Sequence, residues 1–114
     1  SIGHRQYSGT GGQSDTAIGA QMSEGGKSFI ALYSTAEAKQ ADGSRRTISK
    51  IVPTLTPGAA VTLHRSNVDF IVTEYGAVRL RGAPINERAR LLISIAHPDF
   101  RAGLQEQAER LGYL

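Results

Sequence analysis

The sequence contains no cysteine. This absence excludes disulfides, thiolate catalysis and cysteine-based zinc sites, and it is compatible with a reducing cytoplasm. No apolar run approaches the ~20 residues that a membrane-spanning helix needs, and no segment has the pattern of a signal peptide. We therefore expect a soluble domain, located in the cytoplasm, with no membrane partner.

An initiator methionine is also absent, since the chain opens at Ser1. The 114 residues are enough for one domain, spanning 1–114, and too few for two ordinary ones. Hydrophobic residues make up 39% of the chain and charged residues 20%, a balance that is not typical of a disordered protein. We expect one folded domain that is a fragment of a longer chain.

Charge of either sign is modest: 13 Lys and Arg against 10 Asp and Glu give a net charge of +3. Arginine outnumbers lysine, and its planar guanidinium suits phosphate or carboxylate recognition. The basic residues are dispersed, and the aromatic residues do not alternate with them as a base-stacking surface requires. The pattern helps to attract an anionic ligand but does not indicate a nucleic-acid partner.

Strands are predicted in the first two-thirds of the chain. Apolar and β-branched runs between turn signals predict them at residues 28–33, 47–52, 59–63 and 68–73. The run at 28–33 is uninterrupted, which predicts a largely buried strand. The polar segment 37–46 contains Asp42-Gly43, a strong turn signal.

Helices are predicted before and after these strands. Ser14 or Asp15 is expected to cap a first helix that runs to Met22. A second helix is expected to begin at Pro84 and to be buried on more than one side, and Asp99 is expected to cap a third. Its outer surface pairs Glu106 with Arg110 at helical spacing. Strands followed by two packed helices indicate an α/β layer.

A glycine-rich segment, residues 9–13, precedes the first predicted helix. Backbone N–H groups of such a loop can approach an anion closely, so this segment is either an anion or substrate site or a plain turn. It is not a dinucleotide fingerprint, because Ser14 stands where the third glycine is needed. Residues 26–28 do not complete a phosphate-binding Walker loop, because its first glycine would fall on Gln21.

Histidines are few and scattered: His4, His64 and His97 have no metal-ligand spacing, so no metal site is predicted. His97 precedes Pro98 at a helix end, where an imidazolium can interact with the helix dipole. No Gly-x-Ser-x-Gly motif is present to support a Ser-His-Asp triad.

Glu74 follows the predicted strand at 68–73, the position where ligands bind in open α/β sheets. A carboxylate there is a candidate base or nucleophile. Equally, it can cap a helix or bind an arginine, and the sequence leaves these alternatives open.

Seven short strings, in this order, resemble the C-terminal domain of the acetyl-CoA hydrolase/transferase family, which includes butyryl-CoA and 4-hydroxybutyrate CoA-transferases. They are SGTGGQ (8–13, followed by Asp15), GGKS (25–28), STA (34–36), SKIVP (49–53, followed by Leu55), VTEYG (72–76), ERA (87–89) and IAHPDFR (95–101). The similarity covers nearly the whole chain.

The resemblance implies an open α/β sheet of the CoA-transferase type with flanking helices, packed against an N-terminal domain in a homodimer. Its substrates would be an acyl-CoA and a small carboxylate, and no covalently bound cofactor is implied. Members attack the acyl-CoA carbonyl with a glutamate and pass through a glutamyl-CoA thioester. That glutamate lies upstream of the similar region, so we expect no catalytic residue in this chain, and Glu74 is not the aligned position.

The same resemblance implies that this domain binds CoA and the acyl group. The residues concerned are Gly11, Gly12, Gln13, Thr35, Ala36, Gly43 and Arg46. The segment after Thr35 would supply main-chain contacts near the thioester, including an N–H for the oxyanion. The longer insert at 37–46 departs from the tight Gly-Gly turn of many members, with Gly43 as the best candidate for that turn. A second departure is Thr16, where members often carry an aromatic residue that shapes the acyl pocket.

Basic residues around that insert suggest a further hypothesis. Lys39, Arg45, Arg46 and Lys50 surround the loop and would help to hold the phosphates of CoA. An alternative for the whole chain is a non-catalytic α/β domain that binds a ligand or assembles with other proteins while retaining the fold.

Overall fold

The computed structural model describes all residues, Ser1–Leu114. Its elements are α1 (Gln13–Met22), β1 (Phe29–Ala31), β2 (Thr35–Lys39), β3 (Arg45–Ser49), β4 (Phe70–Thr73), β5 (Gly76–Arg79), α2 (Ile85–Ser94) and α3 (Pro98–Arg110). One sheet has the strand order β1-β4-β5, and β2 and β3 form a separate hairpin. Residues 1–12 form a loop before α1, apart from one isolated bridge between Ile2 and Arg5.

The three-stranded sheet packs α2 and α3 against one of its faces. Strand β1 runs parallel to β4, and β5 returns antiparallel to β4. Because side chains alternate along a strand, Ile30, Ile71 and Val78 share the face that meets the helices. The buried core of that layer is Ile51, Ile71, Val78, Leu80, Ile95, Ala96 and Leu104.

The strand predictions hold where a neighbouring strand is available. The segments at 28–33 and 68–73 each contain a strand shorter than predicted, and the segment at 47–52 only overlaps β3, which begins at Arg45 and ends at Ser49. The strand predicted at 59–63 is wrong, because this segment is irregular. The Ala59 amide instead closes a turn onto the Thr56 carbonyl at 2.9 Å. The burial predicted for 28–33 is also wrong, because Phe29 is 59% and Tyr33 is 77% exposed.

Two strands were not expected from local pattern. β2 covers part of the polar segment 37–46, which the sequence presents as turn-forming, and pairs with β3 from Thr35 opposite Ser49 to Lys39 opposite Arg45. β5 begins at Gly76, with two residues between it and the end of β4, and closes a tight hairpin with β4. Both depend on pairing with a neighbour rather than on their own composition.

The helix predictions are confirmed in position but not in their caps. α1 is capped by Gly12, because Thr16 uses both its amide and its hydroxyl to bond the Gly12 carbonyl, at 2.9 and 2.7 Å. α3 is capped by His97, whose Nδ1 accepts the Asp99 amide at 3.2 Å. The predicted caps Ser14, Asp15 and Asp99 are therefore wrong by two or three residues.

The outer faces of the helices are more exposed than predicted. No residue of α2 is fully buried, because only α3 and one sheet face cover it. In α3, Leu104 and Ala108 are buried, and the predicted Glu106–Arg110 pair is confirmed at 2.8 Å.

A buried carboxylate ties β1, β4 and β5 together. Asp69 is 1% exposed, and its oxygens accept the Ser28 amide at 3.4 Å and the Arg79 Nε at 2.9 Å. The Arg79 guanidinium also lies 5.5 Å above the Phe70 ring, and Phe70 stacks on Phe29 at 5.0 Å. A buried charge of this kind is tolerated because it is paired and hydrogen-bonded.

The two halves of this pair are expected to differ in their effect on stability. Arg79→Ala leaves the buried Asp69 carboxylate without a counter-charge, and we expect it to lower the free energy of unfolding by about 3 kcal/mol. Asp69→Asn keeps the shape and an acceptor, while Arg79 remains half-exposed to water, so a smaller loss of about 1 kcal/mol is expected.

Urea denaturation followed by circular dichroism measures both values. Arg110→Ala serves as the control, because it breaks a fully solvated pair and should cost at most about 0.5 kcal/mol. Equal losses for Arg79→Ala and Arg110→Ala would contradict the structural role assigned to Asp69.

Candidate functional site

The carboxyl ends of β1 and β4 lie side by side, because these two strands are parallel. A cavity of about 330 Å³ opens there, lined by Ala31, Leu32, Tyr33, Val72, Thr73 and Glu74. Ligands of open α/β sheets bind at this end of the strands. The position that the sequence predicted for Glu74, at the end of a strand, is confirmed, and ligand binding there stays a prediction.

Both oxygens of Glu74 are engaged by one residue of the neighbouring connection. Oε2 accepts the backbone N–H of Ser34 at 2.9 Å, and Oε1 accepts its hydroxyl at 2.7 Å. Ser34 is completely buried, and its carbonyl accepts the Lys50 amide at 2.8 Å. Glu74 therefore fixes the chain where β1 passes into the β2–β3 hairpin, immediately before Thr35.

This contact sets the ionisation of Glu74. The hydrogen bond from the Ser34 hydroxyl lowers the pKa of the Glu74 carboxyl below its usual value, and burial opposes that shift only in part. A protonated His97 would lower the pKa of Glu74 further, as the weakest contribution. The site consequently holds a carboxylate, not a carboxylic acid, at neutral pH.

An aromatic and cationic cluster lies beside Glu74. The Tyr75 ring meets the His97 ring edge-on at 5.6 Å, and the Arg101 guanidinium lies 5.5 Å over Tyr75. The Thr73 hydroxyl bonds the Ile95 carbonyl at 2.6 Å and accepts the Tyr75 amide at 3.1 Å. These contacts join the β4–β5 turn to the α2–α3 connection.

His97 lies at the amino end of α3, and not at a carboxyl end where an imidazolium would be favoured by the dipole. Its Nδ1 accepts a hydrogen bond from the Asp99 amide, so this nitrogen carries no proton in the arrangement seen. The interaction between an imidazolium and the dipole, suggested by the sequence, is replaced by helix capping.

The glycine-rich segment leads directly into α1. Gly11 has φ +62°, a conformation that favours glycine, and Gly12 caps the helix. Gln13 lines a groove of about 450 Å³ between α1 and β1. The residues of that groove are Gln13, Thr16, Ala17, Ala20, Lys27, Ser28, Phe29 and Ile30.

The other predicted binding residues share the β2–β3 hairpin. Thr35 and Ala36 begin β2 opposite Ser49 and Ile48. Gly43, with φ +87°, forms the turn at the tip, as its place in Asp42-Gly43 predicted.

Arg46 follows in β3 and lines a second groove, of about 380 Å³, against α3. The groove beside Gln13 contains no hairpin residue, and the groove beside Arg46 contains none from the glycine segment. The predicted residues thus form two separate sets, and their contact with CoA stays a prediction.

Sequence reasoning missed Ser34 as a site residue. It appears there only as part of one short string, and no local pattern distinguishes it from the other serines. Its role follows from burial and from the approach of Glu74, forty positions away. Only the tertiary structure brings these two together.

No cluster of three or more His, Asp or Glu side chains is placed to hold a metal ion. None of the helices combines the length and the apolar character required to cross a membrane.

Comparison with known proteins places the chain in a family. Residues 1–108 match the profile described as acetyl-CoA hydrolase/transferase C-terminal domain. A succinyl-CoA:cyclohexane-1-carboxylate CoA transferase of Geobacter metallireducens is 53% identical over 111 residues, covering 97% of this chain and 24% of that protein. A 4-hydroxybutyrate coenzyme A transferase of Clostridium kluyveri is 47% identical over 110 residues, covering 96% and 24%.

The fold has solved counterparts. The crystal structure of RipA from Yersinia pestis superposes with a TM-score of 0.82 at 42% identity, covering 99% of this chain and 24% of that one. The resemblance and the mixed α/β fold of CoA-transferase type with flanking helices, both inferred from the seven strings, are confirmed. The chain spans about a quarter of the length of these relatives.

The Ser34–Glu74 contact makes a testable prediction about pH. Because the pKa of Glu74 is lowered in the folded state, its contribution to stability is present above the unfolded value of 4.5 and is lost as the pH falls through the lowered value. Replacing Ser34 by alanine removes the hydroxyl that is the largest cause of the shift, so the midpoint of Glu74 should rise towards 4.5.

Carbon-13 NMR titration of the Glu74 side-chain carboxyl measures this midpoint in both proteins. Ser66→Ala removes a different hydroxyl, one that bonds His64, and should leave the midpoint unchanged. The same midpoint in the wild type and in Ser34→Ala would refute the assigned cause.

Proposed function

The chain belongs to the acetyl-CoA hydrolase/transferase family, in the region of its C-terminal domain, and we propose on that basis that it forms one wall of the acyl-CoA cleft of a CoA-transferase or acyl-CoA hydrolase. The ordered match over residues 1–108 supports this function. Since the relatives are about four times as long, we assign the activity to a longer polypeptide of which this domain is a part.

The state of Glu74 carries the proposal that the nucleophile lies outside this chain. A nucleophilic carboxylate needs an oxygen that is free to reach the acyl carbon. In Glu74 each oxygen already accepts a hydrogen bond from Ser34. Glu74 is therefore suited to hold the wall of the cleft, and a glutamate from another part of the polypeptide performs the attack.

In the proposed reaction, a carboxylate oxygen of that glutamate bonds to the acyl carbon, and the CoA thiolate leaves. The resulting acyl-glutamyl anhydride is attacked at its glutamyl carbonyl by the thiolate, which releases the original acid and leaves a glutamyl-CoA thioester. An acceptor carboxylate runs the two steps in reverse and departs as a new acyl-CoA. In a hydrolase, water takes the place of the acceptor.

Two parts of this chain would face the substrate. Gly11, Gly12 and Gln13 stand at the amino end of α1, where unpaired backbone N–H groups favour negative charge. Thr35 and Ala36 follow Ser34, which Glu74 holds in place. Backbone donors that are fixed before the reaction stabilise an oxyanion without reorganising. We assign the acyl and thioester contacts to these two segments.

The β2–β3 hairpin is assigned to the phosphates of CoA. Lys39 and Arg45 face each other across its ladder next to the Gly43 turn, and Arg46 adjoins them. These cations are exposed and form no ion pair within the chain. Because neighbouring residues of a strand point to opposite faces, Lys39 and Arg45 lie on one face of the hairpin and Arg46 lies on the other. With Lys50 at the base of the hairpin, they surround it with positive charge suited to phosphate groups.

The rest of the enzyme is proposed to cover this domain. Only 13 of 114 residues are buried, and large apolar side chains such as Met22 (82% exposed) and Tyr33 (77%) are uncovered. Such surfaces mark contacts with other protein. We propose an N-terminal domain of the same polypeptide as this contact, a homodimer as the assembly and the cytoplasm as its location.

Trapping the covalent intermediate tests the function. Incubating the full-length protein with acyl-CoA and then with borohydride should reduce a glutamyl thioester to the alcohol, detected by peptide mass spectrometry. The modified glutamate should lie outside residues 1–114. Protein treated with borohydride without acyl-CoA is the control. If no glutamate is modified and no CoA exchange occurs, the result contradicts the proposed function and favours the non-catalytic ligand-binding or assembly role.

Charge reversal tests the phosphate assignment. In the full-length enzyme, Arg45→Glu with Arg46→Glu should raise the KM for acyl-CoA by about tenfold or more, as expected for the loss of charge-assisted hydrogen bonds worth about 1.5 kcal/mol. The value of kcat should change little, because these contacts are remote from the reacting atoms.

A matched variant corrects for net charge. Arg81→Glu with Arg90→Glu makes the same change at exposed positions outside the hairpin and should leave the KM near the wild-type value. Equal KM values for the two double variants would remove the hairpin from the CoA site.

A further inference from the structure

The tip of the β2–β3 hairpin contains a dipeptide whose own chemistry the proposed function does not use. Asp42 precedes Gly43, whereas each of the other aspartates precedes a threonine or a phenylalanine. Because glycine has no Cβ, its backbone nitrogen is more accessible to a neighbouring carboxyl group than that of any other residue. Residues 41–47 are exposed, so water reaches this turn freely. Asp42 is therefore the aspartate of this chain that is most open to attack by its own backbone.

That attack rearranges the backbone at the aspartate. The Gly43 nitrogen bonds to Cγ of the protonated Asp42 carboxyl group, and the carboxyl hydroxyl leaves with the amide proton as water. Water then opens the resulting five-membered succinimide ring. Addition at Cγ restores aspartate, whereas addition at the main-chain carbonyl carbon of Asp42 leaves the chain running through the side chain, as isoaspartate. Water is the only co-reactant, and nothing is oxidised or reduced.

Ser44 holds the carboxyl group that this reaction needs. Oδ1 of Asp42 accepts the Ser44 hydroxyl at 2.6 Å and the Ser44 backbone N–H at 2.9 Å. These hydrogen bonds lower the pKa of the Asp42 carboxyl below its usual value, and the hydroxyl is the largest cause. A carboxylate has no hydroxyl to lose as water, so ionisation reduces the fraction of Asp42 that can react at neutral pH. The two bonds also fix the orientation of the carboxyl group.

The same turn holds the attacking nitrogen. The Gly43 N–H donates to the Gln40 carbonyl at 3.0 Å, and the Gln40 N–H donates to the Ser44 carbonyl at 2.8 Å. Ring closure removes the Gly43 amide proton and therefore breaks the bond to Gln40. It also requires the Asp42 carboxyl group to leave Ser44. The native turn thus restrains both reacting groups of a dipeptide that is otherwise well suited to react.

Isoaspartate would alter the hairpin, because it adds one carbon atom to the main chain at the turn. The pairing of Lys39 with Arg45 begins beside this turn, and the register of a hairpin depends on the length of its loop. We propose that Asp42-Gly43 is a site of isoaspartate formation in this protein and that Ser44 is the residue that restrains the reaction. Ser44 then protects the register of the β2–β3 hairpin.

Mass spectrometry of aged full-length protein tests the proposal. Trypsin releases residues 40–45 as one peptide, and electron-transfer fragmentation distinguishes aspartate from isoaspartate within it. Wild-type protein, the Ser44→Ala variant and a capped synthetic peptide of residues 40–45 are incubated at neutral pH without acyl-CoA. We expect isoaspartate at position 42 in all three, formed fastest in the peptide and slowest in the wild type. Ser44→Ala should react about fivefold faster than the wild type, the factor expected for the loss of one ordinary hydrogen bond.

Two further variants separate the Ser44 hydroxyl from a general effect on the hairpin. Ser44→Thr keeps a hydroxyl and should react at the wild-type rate. Thr47→Ala removes another exposed hydroxyl of the same hairpin, one that bonds Glu37 at 2.6 Å, and should also leave the rate unchanged.

Four results would each overturn the proposal. They are equal rates for the wild type and Ser44→Ala, equal acceleration by Thr47→Ala and Ser44→Ala, a wild-type rate as high as that of the peptide, and no isoaspartate in either protein while the peptide reacts. Because no substrate is present, none of these results depends on whether the hairpin binds CoA or on whether borohydride traps a glutamyl thioester.

Discussion

The pair of hydrogen bonds between the buried Ser34 and Glu74 is the contact on which the arrangement of this domain depends. It joins the end of β1 to the end of β4, and through Ser34 it fixes where the β2–β3 hairpin leaves the sheet. Without it, a buried amide and hydroxyl would lack partners, which is costly in a protein interior. Glu74, which the local sequence pattern offers as a candidate nucleophile, therefore has a structural role.

The structural role of Glu74 agrees with the shape of the whole domain. The radius of gyration is 15.2 Å, against about 13 Å for a compact domain of this length, and the molecule measures 50 × 34 × 25 Å. Helices cover one sheet face, and the opposite face and the edge of β1 are open. Such a body is suited to the proposed role of one wall of a cleft that other protein completes.

The differences between expectation and structure have a common physical origin. Residues 59–63 have a strand-like composition, but no neighbouring strand is in register, so they remain irregular. β5 has little strand signal of its own and forms because the turn at Glu74 returns the chain alongside β4. α1 begins at Gln13, after the cap Gly12, whose carbonyl accepts the Thr16 hydroxyl, a contact that the type of the capping residue does not reveal.

The sequence by itself determined the family, the approximate helices and most strands, because these follow from ordered motifs and from the spacing of apolar residues along the chain. It also placed Glu74 at the end of a strand and Gly43 in a turn. Only the tertiary structure decided that Ser34 is the partner of Glu74, that the glycine segment and the hairpin line separate grooves, and that β1 has a free edge. Each of these depends on which distant segments meet, and hydrogen bonding and burial between them leave no periodic trace in the sequence.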